Sequence, residues 1–558
     1  MHVAGLSEAE QQVWEAFPAG MPADLRTGEQ EKDTPERGQS WGPERTVRAS
    51  VLKTLLLERR AAEPGHVARL SLVGARIVGP LDLTDAEIGV TLELTECHFD
   101  QEVTVANART RRLDFSGSSL PGLHARQARI EGDLVLRDCE IPAGIRLAGA
   151  QLGGILLLNY ARLGASNGYA LHAARLVIDH SIYCAHFEAA GGIYLVGARI
   201  GGGLHMLEAR VTSRERDALE ASRTTIHDDC NLVEGCRFDG AIRLVQAHVH
   251  GQINLSGAHL DNPDGPAVIA DNLRVDQNLY CANLTANAEF RLLGAHIAGD
   301  LVLSGAHLNN AGGHALDGGS LVVERGLRCD EGFVADGGLR LIGSQANVFE
   351  LLPAREITGD IDLRYARFGL LRDDVSSISG TVQLDGSVYD ALDPLLSVAD
   401  RLNWLARQPD GYRPLPYEQL AITYRRLGHD ADARRVLLAK QRRRRKTLSL
   451  PAKTWGLLQD WTVGYGYLPG RAAMWLLTLL SIGTVLFWFD PPTQIQSGTG
   501  FNAFFYTLDV LVPVLKLGQQ NAFAPSETTQ WFAYLLTIIG WVLATTVATG
   551  ITRTLTRN

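Results

Sequence analysis

The chain has 558 residues, 46% hydrophobic and 21% charged, with a net charge of −9. That balance excludes a disordered chain and one wholly embedded in lipid, and the modest negative charge argues against a global nucleic-acid partner. The N-terminal stretch Met1 to Pro18 carries acids and has no apolar core of signal-peptide length, so no export is expected.

Gly28 to Pro43 is polar and punctuated by Gly and Pro, which predicts a loop. Arg45 to Arg60 places Val47, Val51, Leu52, Leu55 and Leu56 on one helical face, and this amphipathic helix is expected to cap the first coil of a solenoid. From Leu72 the chain repeats about every eleven residues. Leu72, Leu83, Leu94 and Val105 form one column and Ala75, Ala86, Cys97 and Ala108 another. Within each step two apolar pairs sit at strand period and a change of phase follows each pair, as in Leu81-x-Leu83-x-x-Ala86-x-Ile88. One step cannot bury its own apolar pairs, so successive steps must stack as a parallel β-helix. The pattern covers roughly 320 residues and fades near Tyr389.

A longer period of about 48 residues links Leu195, Leu244, Leu292 and Leu341. Gly- and Asn-rich inserts at Gly164 to Gly168, Asn262 to Gly265 and Asn309 to Gly313 read as surface loops. All seven cysteines fall inside the repeat. Cys97, Cys139 and Cys236 replace the small inward Ala, while Cys184, Cys281 and Cys329 take apolar strand positions, which predicts buried reduced thiols. Cys230 with Cys236 is too loosely spaced for a metal site, and none is expected. His248, His259, His296 and His307 follow the small Ala and should point outward, with His248 and His296 too far apart to share an ion. Arg76, Arg129, Arg162, Arg199 and Arg210 occupy the same phase and suggest a solvated, partly positive stripe.

The repeat divides into alternating six- and five-residue units, four to a coil, each with a small residue, a polar one and a central apolar one: Ala75-Arg76-Ile77, Ala86-Glu87-Ile88, Cys97-His98-Phe99. In this the chain resembles the pentapeptide repeat family. The resemblance implies a right-handed four-sided parallel β-helix and no particular activity.

After the solenoid the period becomes helical. Tyr417, Leu420, Ala421, Tyr424 and Leu427 share one face after Pro416, and Gly428 marks the stop. A second helix from Asp430, with Ala433, Val436 and Leu437, completes what looks like a single tetratricopeptide-type hairpin. It ends in the basic run Arg442, Arg443, Arg444, Arg445 and Lys446, expected at a membrane surface. Ala472 to Phe489 and Trp531 to Ile551 are uncharged and read as two transmembrane helices, 472–489 and 531–551. Basic residues precede the first (Lys453, Arg471) and follow the second (Arg553, Arg557), while the connecting segment has only Lys516, so both termini are expected in the cytoplasm.

Thr462-Val463-Gly464-Tyr465-Gly466 spells the selectivity filter of potassium channels, but it precedes both spans, which is the wrong place for one. Between the spans, 501–517 is apolar yet contains Asp509, Pro513 and Lys516, which predicts a re-entrant or interfacial segment. The order of elements is similar to the two-helix ion channel family, with Asp509 and Lys516 as pore candidates, although no filter follows. Gly540, Ala544 and Ala548 make a small-residue stripe for packing on another helix, of this chain or of a second copy.

These readings give residues 1–69 as an N-terminal segment with a capping helix, 70–390 as the solenoid, 391–450 as the helical hairpin and 451–558 as the membrane domain. No nucleotide-binding, hydrolase or metalloprotease motif is found, and no catalytic residue or cofactor is expected. The layout also resembles a group of actinobacterial proteins labelled membrane-associated oxidoreductase, and the scarcity of Lys against Arg fits a GC-rich bacterial genome. That resemblance implies redox activity, without a flavin, nicotinamide, haem or iron–sulfur motif to carry it. The function expected is a multi-pass protein of the bacterial inner membrane whose cytoplasmic β-helix is a non-enzymatic scaffold. Its expected partners are the lipid bilayer, an unidentified protein and further copies of itself.

Overall fold

The computed structural model describes residues 5–58, 62–165, 168–213, 215–409, 411–496, 500–512 and 514–555. Arg59, Arg60, Ser166, Asn167, Pro513 and Arg557 lie outside the described residues, as do the side chains of Ala548 and Arg553. The chain forms two compact units, Met1–Leu396 with Arg407–Pro409, and Ser397–Ala406 with Asp410–Asn558. The first is a β-solenoid of about 15 turns.

A coil is built from strands of a few residues. Leu81–Asp82, Glu87–Ile88, Leu92–Thr95 and His98–Phe99 follow one another. Each pairs in parallel with its counterpart one coil later: Leu81 with Val103, Ile88 with Thr110, Leu92 with Leu113, His98 with Ser119. Strands this short have no independent stability, so the backbone N–H groups must be satisfied by the next coil. Leu83 N donates to Thr104 O at 2.8 Å, and Val105 N to His124 O at 2.8 Å. Side-chain alternation then sorts the residues: Leu81 and Leu83 are buried while Asp82 between them is exposed.

The eleven-residue beat has a backbone cause. Asp85, Glu96, Asn107, Gln127, Asp138 and Tyr160 all have positive φ, between 50° and 62°. Each immediately precedes the small inward residue: Ala86, Cys97, Ala108, Ala128, Cys139 and Ala161. A left-handed residue turns the chain through the corner, and a small side chain lets the turn close against the core. Elsewhere Gly117, Gly149 and Gly197 take the same place, where φ is 67–69° and the missing Cβ removes the steric cost.

All seven cysteines are buried. Burial pushes the thiols of Cys97, Cys139 and Cys230 up to about 12 and that of Cys236 to about 11, and raises those of Cys184, Cys281 and Cys329 further. The rest of the interior is Leu, Ile, Val and Ala with phenylalanines, of which Phe99 and Phe115 meet edge to face at 6.0 Å.

The cap is more than a helix, and the predicted helix Arg45 to Arg60 is shorter than expected. Helix α1 (Glu8–Ala19) opens with a capping box between Ser7 and Glu10. Thr46–Arg48 is a strand that pairs with Arg76–Val78, and Ala23–Asp24 pairs with Leu72 and Val73. Only then does α2 (Ala49–Leu57) begin, burying Val51, Leu52, Leu55 and Leu56. Two edges of the first coil therefore receive backbone partners that a helix could not supply. Arg45, read as the helix start, is buried: it donates to Gly74 O at 2.8 Å, pairs with Asp33 at 2.7 Å and lies 3.5 Å over the Trp41 ring. Within the expected loop, Pro35–Ser40 forms a 3₁₀ helix.

The second unit contains α3 (Val398–Leu405), the hairpin α4 (Leu415–Arg426) and α5 (Asp430–Lys446), and α6 (Leu450–Val463). It continues with α7 (Pro469–Phe489), α8 (Ala503–Leu511), α9 (Gln519–Ala522) and α10 (Gln530–Leu555). Gly428 turns the hairpin at φ +82°. Phe487, Tyr506, Val510, Leu511, Phe523 and Leu536 join α7, α8 and α10 in one apolar cluster. Among the described residues one helix, Gly470–Phe489, is long and apolar enough to cross a membrane, and Gln530–Thr545 is a shorter apolar one.

Two outcomes are expected. Replacing exposed, left-handed Gln127 by Val should cost about 1–2 kcal/mol, since β-branching worsens the αL clash, whereas Gly should be neutral or stabilising; equal denaturation midpoints for the two variants would contradict the corner argument. The seven thiols should resist a thiol reagent in the native chain and all react after denaturation.

Candidate functional site

With the interior filled, the side chains open to solvent are the outward residues, which stack into rows along the solenoid. Strand pairing shows that the arginines sharing a sequence phase do not share a row. Arg76, Arg162 and Arg210 belong to one row, with His98, Glu188, Arg237 and His259 among their neighbours. Arg129 and Arg199 belong to another, which holds Arg109, Thr225, His248, Arg274 and His296. The expected single stripe is thus two, because the small-residue phase recurs twice per coil. His248 and His259 fall on different rows.

A third row alternates in charge. Glu220 pairs with Arg243, and further along Arg291, Asp317, Arg340 and Asp362 follow in register. Arg340 meets Asp317 at 3.1 Å, and Arg291 makes two hydrogen bonds to Asp271, at 2.9 and 2.5 Å. Opposite charges on adjacent strands neutralise one another, so these arginines are held by carboxylates of the row, as Asp317 is, or just beside it, as Asp271 is.

Tyr169, which follows the first insert, lines a cleft of about 470 Å³ together with Ser213, Glu215, Arg216 and Asp217 of a third insert and Asn262, Asp264 and Gly265 of the second. The third insert carries no Gly or Asn and so gives no loop signal in the sequence. Arg216 lies 4.7 Å over the Tyr169 ring and donates to its hydroxyl at 3.1 Å. On the floor Arg243 donates two bonds to Asp217, at 2.7 and 3.2 Å, and approaches Glu220 at 3.1 Å. Burial raises the carboxyl of Glu220 above its ordinary 4.5, and the Asp217 charge beside it adds to the rise. The cleft sets carboxyl groups beside the guanidinium groups of Arg216 and Arg243, a lining suited to a polar ligand.

On the His248 row, His248 Nε2 and His250 Nδ1 both lie against Asp276 Oδ2, at 2.9 and 2.8 Å, while Arg274 donates to Oδ1 at 3.0 Å. Burial opposes ionisation of Asp276, but the Arg274, His248 and His250 hydrogen bonds outweigh it and hold the carboxyl down to about 2. Sequence reasoning singled out His248 and missed both partners. His250 carries a signal, two residues away at strand period; Asp276 carries none until the coil length is known.

In the helical unit the basic run at the end of α5 is partly neutralised. Arg442 and Arg445 pair with Asp460 of α6, at 2.9 and 3.0 Å, while Arg443 is half-buried and Arg444 and Lys446 are exposed. The Gly464-Tyr465-Gly466 string is a turn after α6, with Gly464 and Tyr465 both left-handed. Asp509 is buried and accepts from Leu517 N at 2.9 Å and Gln520 N at 2.8 Å, stapling the chain after α8. Lys516 is exposed. The structure does not bring the two together as partners: the carboxylate is used by backbone. Gly540 abuts the Leu511 carbonyl, where a Cβ would collide, so the stripe begins as a contact within this chain; Ala544 is half-buried.

Because the folded value of Glu220 is raised, the stability tied to it is complete below about pH 4.5 and is lost as pH rises through the folded value. Glu220→Gln should therefore gain denaturation midpoint over the parent at neutral pH and lose that gain in mild acid; parallel pH profiles would contradict the assignment. No family model, curated protein or solved structure matches this chain, so function is argued from geometry alone.

Proposed function

We propose that the chain is a multi-pass protein of a bacterial cytoplasmic membrane that presents a pentapeptide-repeat-type β-helix, right-handed and four-sided, as a rigid interaction or scaffolding surface in the cytoplasm. The observation that carries the reading is the exposed apolar surface of α7 and α10. Met474, Leu477, Val485 and Trp488 on α7, and Trp531, Leu535, Ile538 and Trp541 on α10, are each at least half exposed. Side chains this apolar favour lipid over water by roughly 1.5–3 kcal/mol each when fully covered.

In this reading α7 and α10 are the two spans, and α8 with its stapled loop lies between them as a re-entrant or interfacial element. Gly540 lets α10 approach α8 closely, where a Cβ would meet the Leu511 carbonyl. Arg444, Lys446 and Lys453 before α7 and Arg471 in its first turn, with Arg553 after the apolar part of α10, favour a cytoplasmic side for both ends. The solenoid, preceding α7 in the chain, shares that side. Recognition would then be written in its outward rows and loop cleft, for an as yet unidentified protein partner.

The chain should stay with membranes through an alkaline wash, and a reporter fused at Asn558 should signal from the cytoplasm. Recovery in the soluble fraction, or an external reporter signal, would overturn the anchor. A pull-down from membranes should recover the same partner with Phe501 to Leu517 deleted as with the chain intact. A stoichiometric flavin spectrum would replace the scaffold reading with an oxidoreductase. Tetramers passing ions in liposomes, with flux lost on Asp509→Ala, would replace it with a channel.

A further inference from the structure

His248, His250 and Asp276 come from two successive coils. His248 stands opposite Arg274 across the strand pair and Val249 opposite Val275, which sets His250 beside Asp276 at the next turn. The potential ligand atoms, one from each residue, all lie within 4.8 Å of one another. His248 and Asp276 are half-buried, and the His250 side chain is 39% exposed. The group is therefore held by the fold on one side and open to solvent on the other.

We propose that His248 Nε2, His250 Nδ1 and an Asp276 oxygen form a three-ligand site for a divalent transition-metal ion of the zinc type. Two imidazoles and a carboxylate suit Zn²⁺, Fe²⁺, Co²⁺ or Ni²⁺ and do not suit Mg²⁺ or Ca²⁺, which call for a shell of oxygen ligands. Both imidazoles aim a ring nitrogen at the same carboxylate oxygen, 2.9 and 2.8 Å away. For N and O ligands each about 2.0–2.1 Å from a tetrahedral ion, the ligand-to-ligand separation is roughly 3.3–3.4 Å, so the two nitrogen–oxygen separations need to widen by about half an ångström, and the nitrogen–nitrogen separation lies within the 4.8 Å that encloses all three atoms. Coordination requires the ring nitrogen facing Asp276 to offer its lone pair, which the imidazole tautomer carrying its N–H on the other nitrogen does. Arg274 Nε donates to Asp276 Oδ1 at 3.0 Å and fixes the carboxylate plane, leaving Oδ2 toward the histidines.

Around these three the charge is mixed. Arg274 is the cation nearest the carboxylate, and the His227 ring from the preceding coil lies 5.1 Å from the His250 ring. Three protein ligands leave room for water or a ligand from a bound partner in the remaining position, the arrangement of an open rather than a closed site.

The full chain, purified in detergent without a polyhistidine tag, is titrated with Zn²⁺ and separately with Co²⁺. One Zn²⁺ per chain is expected, together with a visible Co²⁺ spectrum typical of a four-coordinate nitrogen–oxygen site. His250→Ala and Asp276→Asn should each weaken binding by about tenfold or more and abolish that spectrum. His259→Ala, an exposed histidine on a different row, should change neither, and Mg²⁺ should not compete. Unchanged affinity in both His250→Ala and Asp276→Asn, or no binding by the parent chain, would overturn the site. Circular dichroism of the variants separates loss of the ligand from loss of the fold.

Discussion

Pairing of each short strand with its counterpart one coil away is the constraint on which the solenoid depends. Strands such as Leu81–Asp82 and Val103–Thr104 are too short to stand alone, so their backbone groups are satisfied only by neighbouring coils. The same pairing stacks Leu on Leu and Ala on Cys in the interior, and hydrogen bonding and apolar burial demand one register. It also makes the first coil a vulnerable edge. The N-terminal segment meets this with strands on two sides, a helix over the apolar interior and the Arg45–Asp33 pair beneath, 2.7 Å apart.

Rows on the outer surface are a by-product of the same register. Residues a coil apart in sequence become neighbours at the spacing of paired strands, so chemistry is assembled from positions that look unrelated. Leu134 pairs with Leu156 and Leu156 with Ile182, so the coil length changes where an insert enters. The length change decides which outward residue stands opposite which. Arg243 reaches Asp217 and Glu220, and Asp276 reaches His250, because the intervening loops have the lengths they have.

The helical unit follows a different rule. Trp404, Leu420, Tyr424 and Val436 are buried in its first helices, and Phe487, Tyr506 and Leu536 centre a second buried cluster, while broad apolar faces of α7 and α10 remain exposed. Within it the polar residues are used structurally. Asp509 closes a loop through two backbone N–H groups, and Asp460 gathers Arg442 and Arg445. An ionisable residue near an apolar helix therefore has an architectural role here before any transport role need be invoked.

Much of this was legible without coordinates. The repeat of Leu and Ala columns implies stacked coils, the cysteines sit in those columns, and Pro416, Gly428 and Asp430 bound the hairpin helices; periodicity and breaker residues are local signals. The capping strands Ala23–Asp24 and Thr46–Arg48 were not legible, because their strand character comes from the edge they cover. Arg76 and Arg129 share a phase yet occupy different rows, and Asp276 joins His248 and His250 from the next coil. Local sequence carries the period, the turn chemistry and the inward–outward alternation. Adjacency between coils depends on every insert length and on which strand column a residue enters, and only the folded register settles that.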